Sequence, residues 1–129
     1  KLKITKITNP KNYERKLLFG EEYVKFLSEN LFNLTCGGTC NYMTAKYFQI
    51  PAANSMLIGT KTNGLEIFPN DTYITYDKDN LDNMYNEILR HENDMLMTTQ
   101  KITKLNQYVL QKHSHEKRME ELLDIIRSH

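Results

Sequence analysis

The sequence has little of several features that would place it in a specialised class. It contains only two cysteines, Cys36 and Cys40, which are too few for a disulfide scaffold or, by themselves, a closed zinc site. No apolar run approaches the roughly 20 residues that a membrane-spanning helix needs. Lys and Arg number 17 against 16 Asp and Glu. That balance disfavours a nucleic-acid binder, which would need a basic excess to neutralise phosphates.

What the sequence does have is the composition of one folded domain. Its 129 residues are 40% hydrophobic and 26% charged, with 5 Gly and 3 Pro, which is typical of globular chains. Residues 1–4 lack the apolar segment and cleavage site of a signal peptide, so we expect a cytoplasmic protein. Because the chain begins with Lys, we interpret it as a piece of a longer protein. We predict a single α/β domain over 1–129, with its C-terminal helices in 78–129.

Strand-like and helix-like segments alternate in the first half of the sequence. Residues 1–8 alternate apolar and polar side chains, which predicts a strand, and residues 13–27 have a helical pattern interrupted at Gly20. The short apolar run from Leu31 to Thr35 then predicts a buried strand that leads into a glycine loop. The order so far is strand, helix, strand.

A second unit of the same kind follows. Residues 41–53 predict a helix, Asn54 a left-handed turn, and residues 55–59 a wholly apolar strand, as a parallel sheet with covered faces requires. Residues 65–68 predict a short helical turn, and residues 72–76 are rich in β-formers and predict a third core strand. This alternation predicts a partial doubly wound, Rossmann-like parallel sheet of three to four strands with a helical C-terminal part.

The remaining residues predict three amphipathic helices. Asp77 or Asp79 is expected to cap the first helix, and the third is expected to begin near Ser114. Their predicted apolar stripes comprise Leu81, Met84, Tyr85, Ile88 and Leu89 in the first, Met95, Ile102, Leu105, Val109 and Leu110 in the second, and Met119, Leu122, Leu123 and Ile126 in the third.

Two loops, 36–40 and 59–64, are candidates for a ligand site. In a doubly wound sheet, ligands bind outside the carboxyl ends of the strands. The first loop is the better candidate, because its paired glycines, Gly37 and Gly38, let backbone amides approach an anion closely. We expect its two flanking cysteines to be reduced and partly buried.

The helix predicted after this loop carries polar side chains on one face. Tyr42, Lys46 and Gln49 are spaced i, i+4, i+7, so that Lys46 would neutralise a phosphate and Gln49 would bind a hydroxyl. On residue types alone an alternative stays open, in which the glycines form a tight turn and Lys46 is a solvated charge. His113 and His115 are two residues apart, so on a helix they would not chelate one metal ion.

Three segments, taken together, resemble one known family. Residues 41–58 (NYMTAKYFQIPAANSMLI) resemble the donor-site segment of GT-B glycosyltransferases of the "glycosyl transferases group 1" kind. Residues 46–52 match the form KYFEIPA, residues 70–76 resemble an "enyi-y" strand, and residues 113–118 are similar to a His-Thr-Tyr-Glu-Asn-Arg helix start. The order and spacing of these segments make the resemblance specific, and the resemblance as a whole spans roughly residue 9 to the C-terminus.

The resemblance implies half of a GT-B fold, which binds a nucleotide-diphosphate sugar without a metal ion or other cofactor. Two positions depart from the family pattern: Asn41 and Gln49 stand where Glu residues bind the sugar and the ribose. Amides lack the charge-assisted hydrogen bonds of a carboxylate, which predicts weaker donor contacts. The implied donor-binding residues are Thr35, Gly37, Gly38, Thr39, Asn41, Tyr42, Lys46 and Gln49.

The function that we predict is transfer of a hexosyl or similar sugar in glycan biosynthesis. The acceptor would be a glycan, a lipid or a protein. The resemblance implies that the general base comes from an N-terminal domain, in cis or on a partner chain, because this chain is too short to contain it. No catalytic residue is therefore assigned here. The alternative is a non-catalytic α/β interaction module that docks through its C-terminal helices.

Overall fold

The structure is a computed structural model that describes residues 20–128. The strand predicted over 1–8 and the helical pattern over 13–19 lie outside the described residues. Within residues 20–128, the helices are α1 (Gly20–Glu29), α2 (Lys46–Ala52), α3 (Asp82–Asn93), α4 (Met95–Lys112) and α5 (His115–Arg127), and the strands are β1 (Phe32–Thr35), β2 (Met56–Thr60) and β3 (Ile74–Tyr76). None of these helices combines the length and hydropathy needed to cross a bilayer.

The three strands form one parallel sheet in the order β1-β2-β3. Phe32 lies opposite Met56, and Ile58 lies opposite Ile74. The central strand is continuously apolar and buried from Met56 to Gly59, because helices cover both faces of such a sheet. The predicted α/β class with a parallel sheet is confirmed, with three strands in the described part of the chain.

Alternating side chains of β2 belong to two apolar clusters. Met56 and Ile58 pack with Ile74 and Ile102, and residues of α3 pack against this cluster. Leu57 belongs to the other cluster, between the sheet, α2 and α4, whose buried members are Leu27, Tyr47, Ile50, Leu57, Leu65, Phe68, Leu105 and Val109. Successive strand residues point to opposite faces, so one short strand joins both clusters.

Several turns follow the sequence-based prediction. Asn54, between α2 and β2, has φ = +62°, the left-handed conformation that asparagine tolerates better than most residues. The helical turn predicted at residues 65–68 is a 3-10 helix at Leu65–Ile67. β1 differs from the predicted buried strand, because Leu34 is exposed. The physical reason is that β1 is an edge strand of the described sheet.

The helix predicted from residue 41 begins only at Lys46. Asn41 has φ = +50°, and its amide donates to the Gly38 carbonyl at 3.4 Å. Tyr42 instead forms a bridge to Asn63 in the next loop. These hydrogen bonds hold residues 38–42 in a turn, so Tyr42 does not share a helix face with Lys46 and Gln49.

The cap predicted for the first C-terminal helix is also wrong. α3 begins at Asp82, its N-cap residue is Leu81, and the first-turn amide of Asp82 donates to Oδ1 of Asn80 at 3.3 Å, not to an aspartate. The Asp77 carboxylate instead accepts a hydrogen bond from the amide of Asp79 at 2.9 Å, within the loop that precedes the helix. Aspartate competes for local backbone amides in this way, which favours a turn over the start of a helix. Met84, Ile88 and Leu89 are half-buried, whereas Leu81 and Tyr85 are exposed.

The last two helices differ in how their predicted stripes are used. In α4, Ile102, Leu105 and Val109 are buried, while Met95 and Leu110 at the ends of the stripe are exposed. α5 begins after Ser114 as predicted, but it buries no residue. The prediction that its stripe is buried is wrong, because no described element covers that side. The exposed side chains are Met119, Leu122, Leu123 and Ile126.

Candidate functional site

A cleft of about 970 Å³ opens at the carboxyl ends of the three parallel strands. Cys36 follows β1, Lys61 follows β2 and Asp77 follows β3, and all three residues line the cleft. In open α/β sheets, ligands bind in the crevice outside the carboxyl ends of the strands. The lining also includes Gly37, Gly38, Asn41, Thr60, Tyr73, Thr75, Tyr76, Lys78, Asn80, Asn83 and Glu87.

The glycine loop is anchored to the end of the central strand. The amide of Gly37 donates to the Thr60 hydroxyl at 2.9 Å. The same hydroxyl lies 3.1 Å from the hydroxyl of Tyr47, which donates to the Thr60 carbonyl at 2.8 Å. Tyr47 is fully buried, so its ring and hydroxyl form a fixed support beneath the loop. Buried polar groups that are satisfied in this way hold one geometry.

The two glycines are required for different reasons. A Cβ at Gly37 would overlap the methyl group of Thr62 and lie 3.2 Å from the Asn41 Cα, so this position has no room for a side chain. Gly38 has open space around it but a φ of +64°, which favours glycine. The backbone amide of Tyr42 closes the turn by donating to the Gly37 carbonyl at 3.2 Å.

The second candidate loop is joined to the first. The Asn63 amide donates to the Asn41 carbonyl at 3.2 Å, so the loops after β1 and β2 are held side by side. Thr62 is buried under this junction, and its hydroxyl has no hydrogen-bond partner among the described residues. The two loops named from the sequence therefore contribute to one cleft.

Of the eight residues predicted for donor binding, Gly37, Gly38 and Asn41 line the cleft. Thr35 is buried at the end of β1. The Oε1 atom of Gln49 accepts a hydrogen bond from the Tyr23 hydroxyl at 3.2 Å, away from the cleft lining. The four predicted residues that are exposed and do not line the cleft are Thr39, Tyr42, Lys46 and Gln49.

The sequence analysis does not assign the polar residues that follow β2 and β3 to the ligand site. Lys61 lies in a loop that was recognised, and Asp77 directly follows a strand that was predicted. The signal was available, because the carboxyl ends of parallel strands meet at one edge of the sheet. Reading each loop together with its neighbours would have grouped Lys61, Asp77 and Lys78 with the glycines.

The cleft carries charges of both signs. Lys61 and Lys78 are exposed and form no ion pair within residues 20–128, whereas Glu87 is paired with Arg90 at 3.0 Å. Burial, followed by the proximity of Cys36, raises the pKa of the Tyr76 phenol. Tyr76 is therefore protonated at neutral pH and offers a hydrogen-bond donor to a ligand.

The cysteines and histidines do not form a disulfide or a metal site in the described part of the chain. Cys36 and Cys40 are both free and exposed, so the predicted partial burial is wrong, because they flank a turn at the rim of the sheet. Among residues 20–128, no group of three or more His, Cys, Asp or Glu residues is placed to hold a metal ion. The Arg118 guanidinium donates to Nδ1 of His113 at 2.8 Å.

The fold is a parallel α/β domain with a cleft at the carboxyl ends of its strands. Comparison with known families goes further: a model described as glycosyl transferase-like matches residues 4–124. This match covers nearly the whole chain, so the chain belongs to the glycosyl transferase-like family and is a glycosyl transfer domain. The predicted membership of a glycosyltransferase family is confirmed. No curated protein and no solved structure matches it.

Proposed function

We propose that the cleft binds the diphosphate of a nucleotide sugar and that the domain presents this donor for metal-independent transfer to an acceptor. The observation that carries the proposal is the juxtaposition of the glycine turn and Lys61 at the ends of neighbouring strands. Within residues 20–128, the amide of Gly38 donates no hydrogen bond to the protein. A free amide beside an unpaired ammonium group is a favourable place for a phosphate.

The same groups are suited to the chemical step. When the bond between sugar and diphosphate breaks, negative charge builds on the leaving diphosphate. The Gly38 amide and Lys61 stabilise that charge, and the amide does so without reorganising because Tyr47 and Thr60 already hold the turn in place,. In this proposal Lys61 supplies the positive charge that other transferases obtain from a metal ion. The base that activates the acceptor comes from outside the described residues.

Thermal unfolding with a panel of ligands tests donor binding. UDP, GDP, ADP and their sugar conjugates are added to the chain with and without EDTA. A ligand present at about 100 times its Kd adds roughly 2.7 kcal/mol to the free energy of unfolding. We expect one nucleotide series to raise the midpoint equally in both buffers. A shift that EDTA abolishes contradicts metal independence, and no shift with any nucleotide contradicts the proposal.

Three lysine variants identify the cation. Lys61→Ala removes the lysine that lines the cleft, and Lys46→Ala removes the one predicted from the sequence. Lys104→Ala, on the exposed side of α4, is the control. Hydrogen bonds to charged groups contribute about 1.5–3 kcal/mol, so we expect Lys61→Ala to weaken nucleotide binding roughly 10-fold or more. A larger loss with Lys46→Ala would place the diphosphate at α2 instead.

The exposed stripe of α5 favours a second candidate, the interaction module. Leu122 and Ile126 are 49% and 60% exposed, and large exposed apolar faces often mark docking surfaces. The ligand panel separates the two functions. Nucleotide binding that tracks Lys61 supports the transferase domain, whereas a folded chain that binds no nucleotide supports the module.

A further inference from the structure

Asp77 occupies a defined position at the cleft edge of the third strand. It follows β3 directly and lines the cleft. Its Oδ1 atom accepts the Asp79 amide at 2.9 Å, and the Asn80 amide donates to its carbonyl at 3.1 Å. The side chain is therefore held by its own loop, with the second carboxylate oxygen left for another donor.

The charge of Asp77 is not neutralised by the described residues. Two carboxylates line the cleft, and the other one, Glu87, is paired with Arg90 at 3.0 Å. Asp77 forms no ion pair within residues 20–128. A free carboxylate repels phosphate, so this end of the cleft is unsuited to the diphosphate itself. A carboxylate accepts hydrogen bonds and donates none at neutral pH, so it suits a ligand group that offers hydroxyl protons.

The order of groups across the sheet matches the order of groups along a nucleotide sugar. The glycine turn lies after β1, Lys61 after the central strand, and Asp77 after β3. Strands are about 4.8 Å apart, so the outer two ends are separated by roughly 10 Å. That span is comparable to the distance from a terminal phosphate to the hydroxyls of the attached ribose or sugar.

We propose that Asp77 binds a vicinal diol of the donor, an inference that rests on the proposed function. Its carboxylate accepts the two hydroxyl protons, and these charge-assisted hydrogen bonds are about twice as strong as neutral ones. Gln49 does not compete for this role, because it lies outside the cleft lining and its Oε1 atom already accepts from Tyr23. The diol belongs either to the ribose or to the transferred sugar.

A matched pair of variants tests the inference. Asp77→Asn removes the charge but keeps an oxygen that accepts the Asp79 amide, so the loop is preserved. Asp79→Asn makes the same change of charge two residues away, at a side chain that does not line the cleft. Asp77→Ser, which also keeps an acceptor oxygen, is the second variant should Asp77→Asn lose its cooperative thermal unfolding.

Calorimetric titration measures UDP, GDP and ADP, their 2′-deoxy forms and their sugar conjugates. We expect Asp77→Asn to weaken binding of the preferred donor about 10-fold or more, and Asp79→Asn to leave it unchanged or slightly tighter. If the diol is the ribose, the wild type prefers the ribonucleotide over its 2′-deoxy form and Asp77→Asn loses that preference. If it belongs to the sugar, only the conjugate loses affinity.

The outcomes separate this inference from the function on which it rests. An Asp77→Asn chain that binds every ligand as tightly as the wild type, or more tightly, overturns the role of Asp77 alone. Tighter binding is the result that removal of a merely repulsive charge would give. A wild-type chain that binds no nucleotide overturns the proposed function, and the inference with it.

Discussion

Helices α4 and α5 begin alike and end up in different surroundings. The Asp94 carboxylate accepts the Met97 amide at 3.1 Å, and the Ser114 hydroxyl accepts the Lys117 amide at 3.2 Å. Both helices also carry an apolar stripe. α4 packs against α2, α3 and β2 and has four buried residues, whereas α5 packs against α4 and has none. The helical period identifies the apolar face, but a neighbouring element decides whether that face is buried.

The largest expected effect is in the stripe of α4. Leu105 is 1% exposed and belongs to the cluster around Tyr47 and Phe68. Leu105→Ala removes buried methyl groups and leaves a cavity, so we expect the free energy of unfolding to fall by about 2–5 kcal/mol. Urea unfolding followed by circular dichroism measures the change.

The matching change in α5 is the control for this comparison. Leu122 is 49% exposed, and exposed substitutions usually change stability by less than about 0.5 kcal/mol. We expect Leu122→Ala to leave the urea midpoint nearly unchanged. A loss comparable to that of Leu105→Ala would show that α5 is covered in solution and would remove the contrast between the helices.

The helix caps give a smaller and sharper contrast. Asp94→Ala and Ser114→Ala each leave one amide without its cap, which costs the helix about 1 kcal/mol. Because α4 is part of the core, we expect Asp94→Ala to lower global stability by that amount. Ser114→Ala should instead increase amide hydrogen exchange in α5 with little change in the urea midpoint, because α5 can fray without opening the core. Equal changes in the midpoint would contradict independent fraying.

The last contrast, which depends on pH, is at the junction of the two helices. His113 packs against Phe48, Phe68 and Tyr108. Burial lowers the pKa of His113 from 6.5, and nearby Arg118 lowers it further, whereas Glu121 raises it. The unfolded chain therefore binds this proton more readily than the folded one. The stability that neutral His113 contributes is present above pH 6.5 and is lost as pH falls through the folded pKa,.

His113→Phe measures this contribution, because the variant keeps an aromatic ring and removes the titration. Between about pH 7 and about pH 5, we expect the free energy of unfolding to fall more in the wild type than in the variant. Urea titrations at each pH give the difference in the free energy of unfolding between the two proteins. The contributions of the other titrating groups cancel in this difference. Identical pH dependence of the two proteins would show that the environment of His113 does not favour its neutral form.

The sheet was predictable because its signals are local. The apolar run ending at Gly59 and the left-handed Asn54 each dictate their own conformation, and the structure has both. The start of α2 was not predictable in this way. Residues 41–45 have a helix-like pattern, but Tyr42 pairs with Asn63, a residue 21 positions further along the chain. Hydrogen bonds to a distant loop override a weak local preference.

The candidate site likewise contains residues that local sequence identifies and residues that it does not. Gly37 and Gly38 were identifiable because a glycine pair signals close backbone approach wherever it occurs. The sequence predicts Asp77 or Asp79 as a helix cap, since aspartate is favoured at the N-cap before an amphipathic segment. Its place beside Lys61 depends on the pairing of β3 with β2. The residues near Asp77 or near Lys61 in the sequence carry no information about that pairing.

By itself, the sequence determined the elements of this protein: the central strand, the turns and the apolar faces of the helices. These features follow from side-chain size, branching and periodicity over a few residues, which act in any context. Only the tertiary structure decided which loops share a cleft and which apolar face has a partner. Those outcomes depend on the parallel order of the strands and on the packing of α4 across the sheet, which are set by the free energy of the whole fold,.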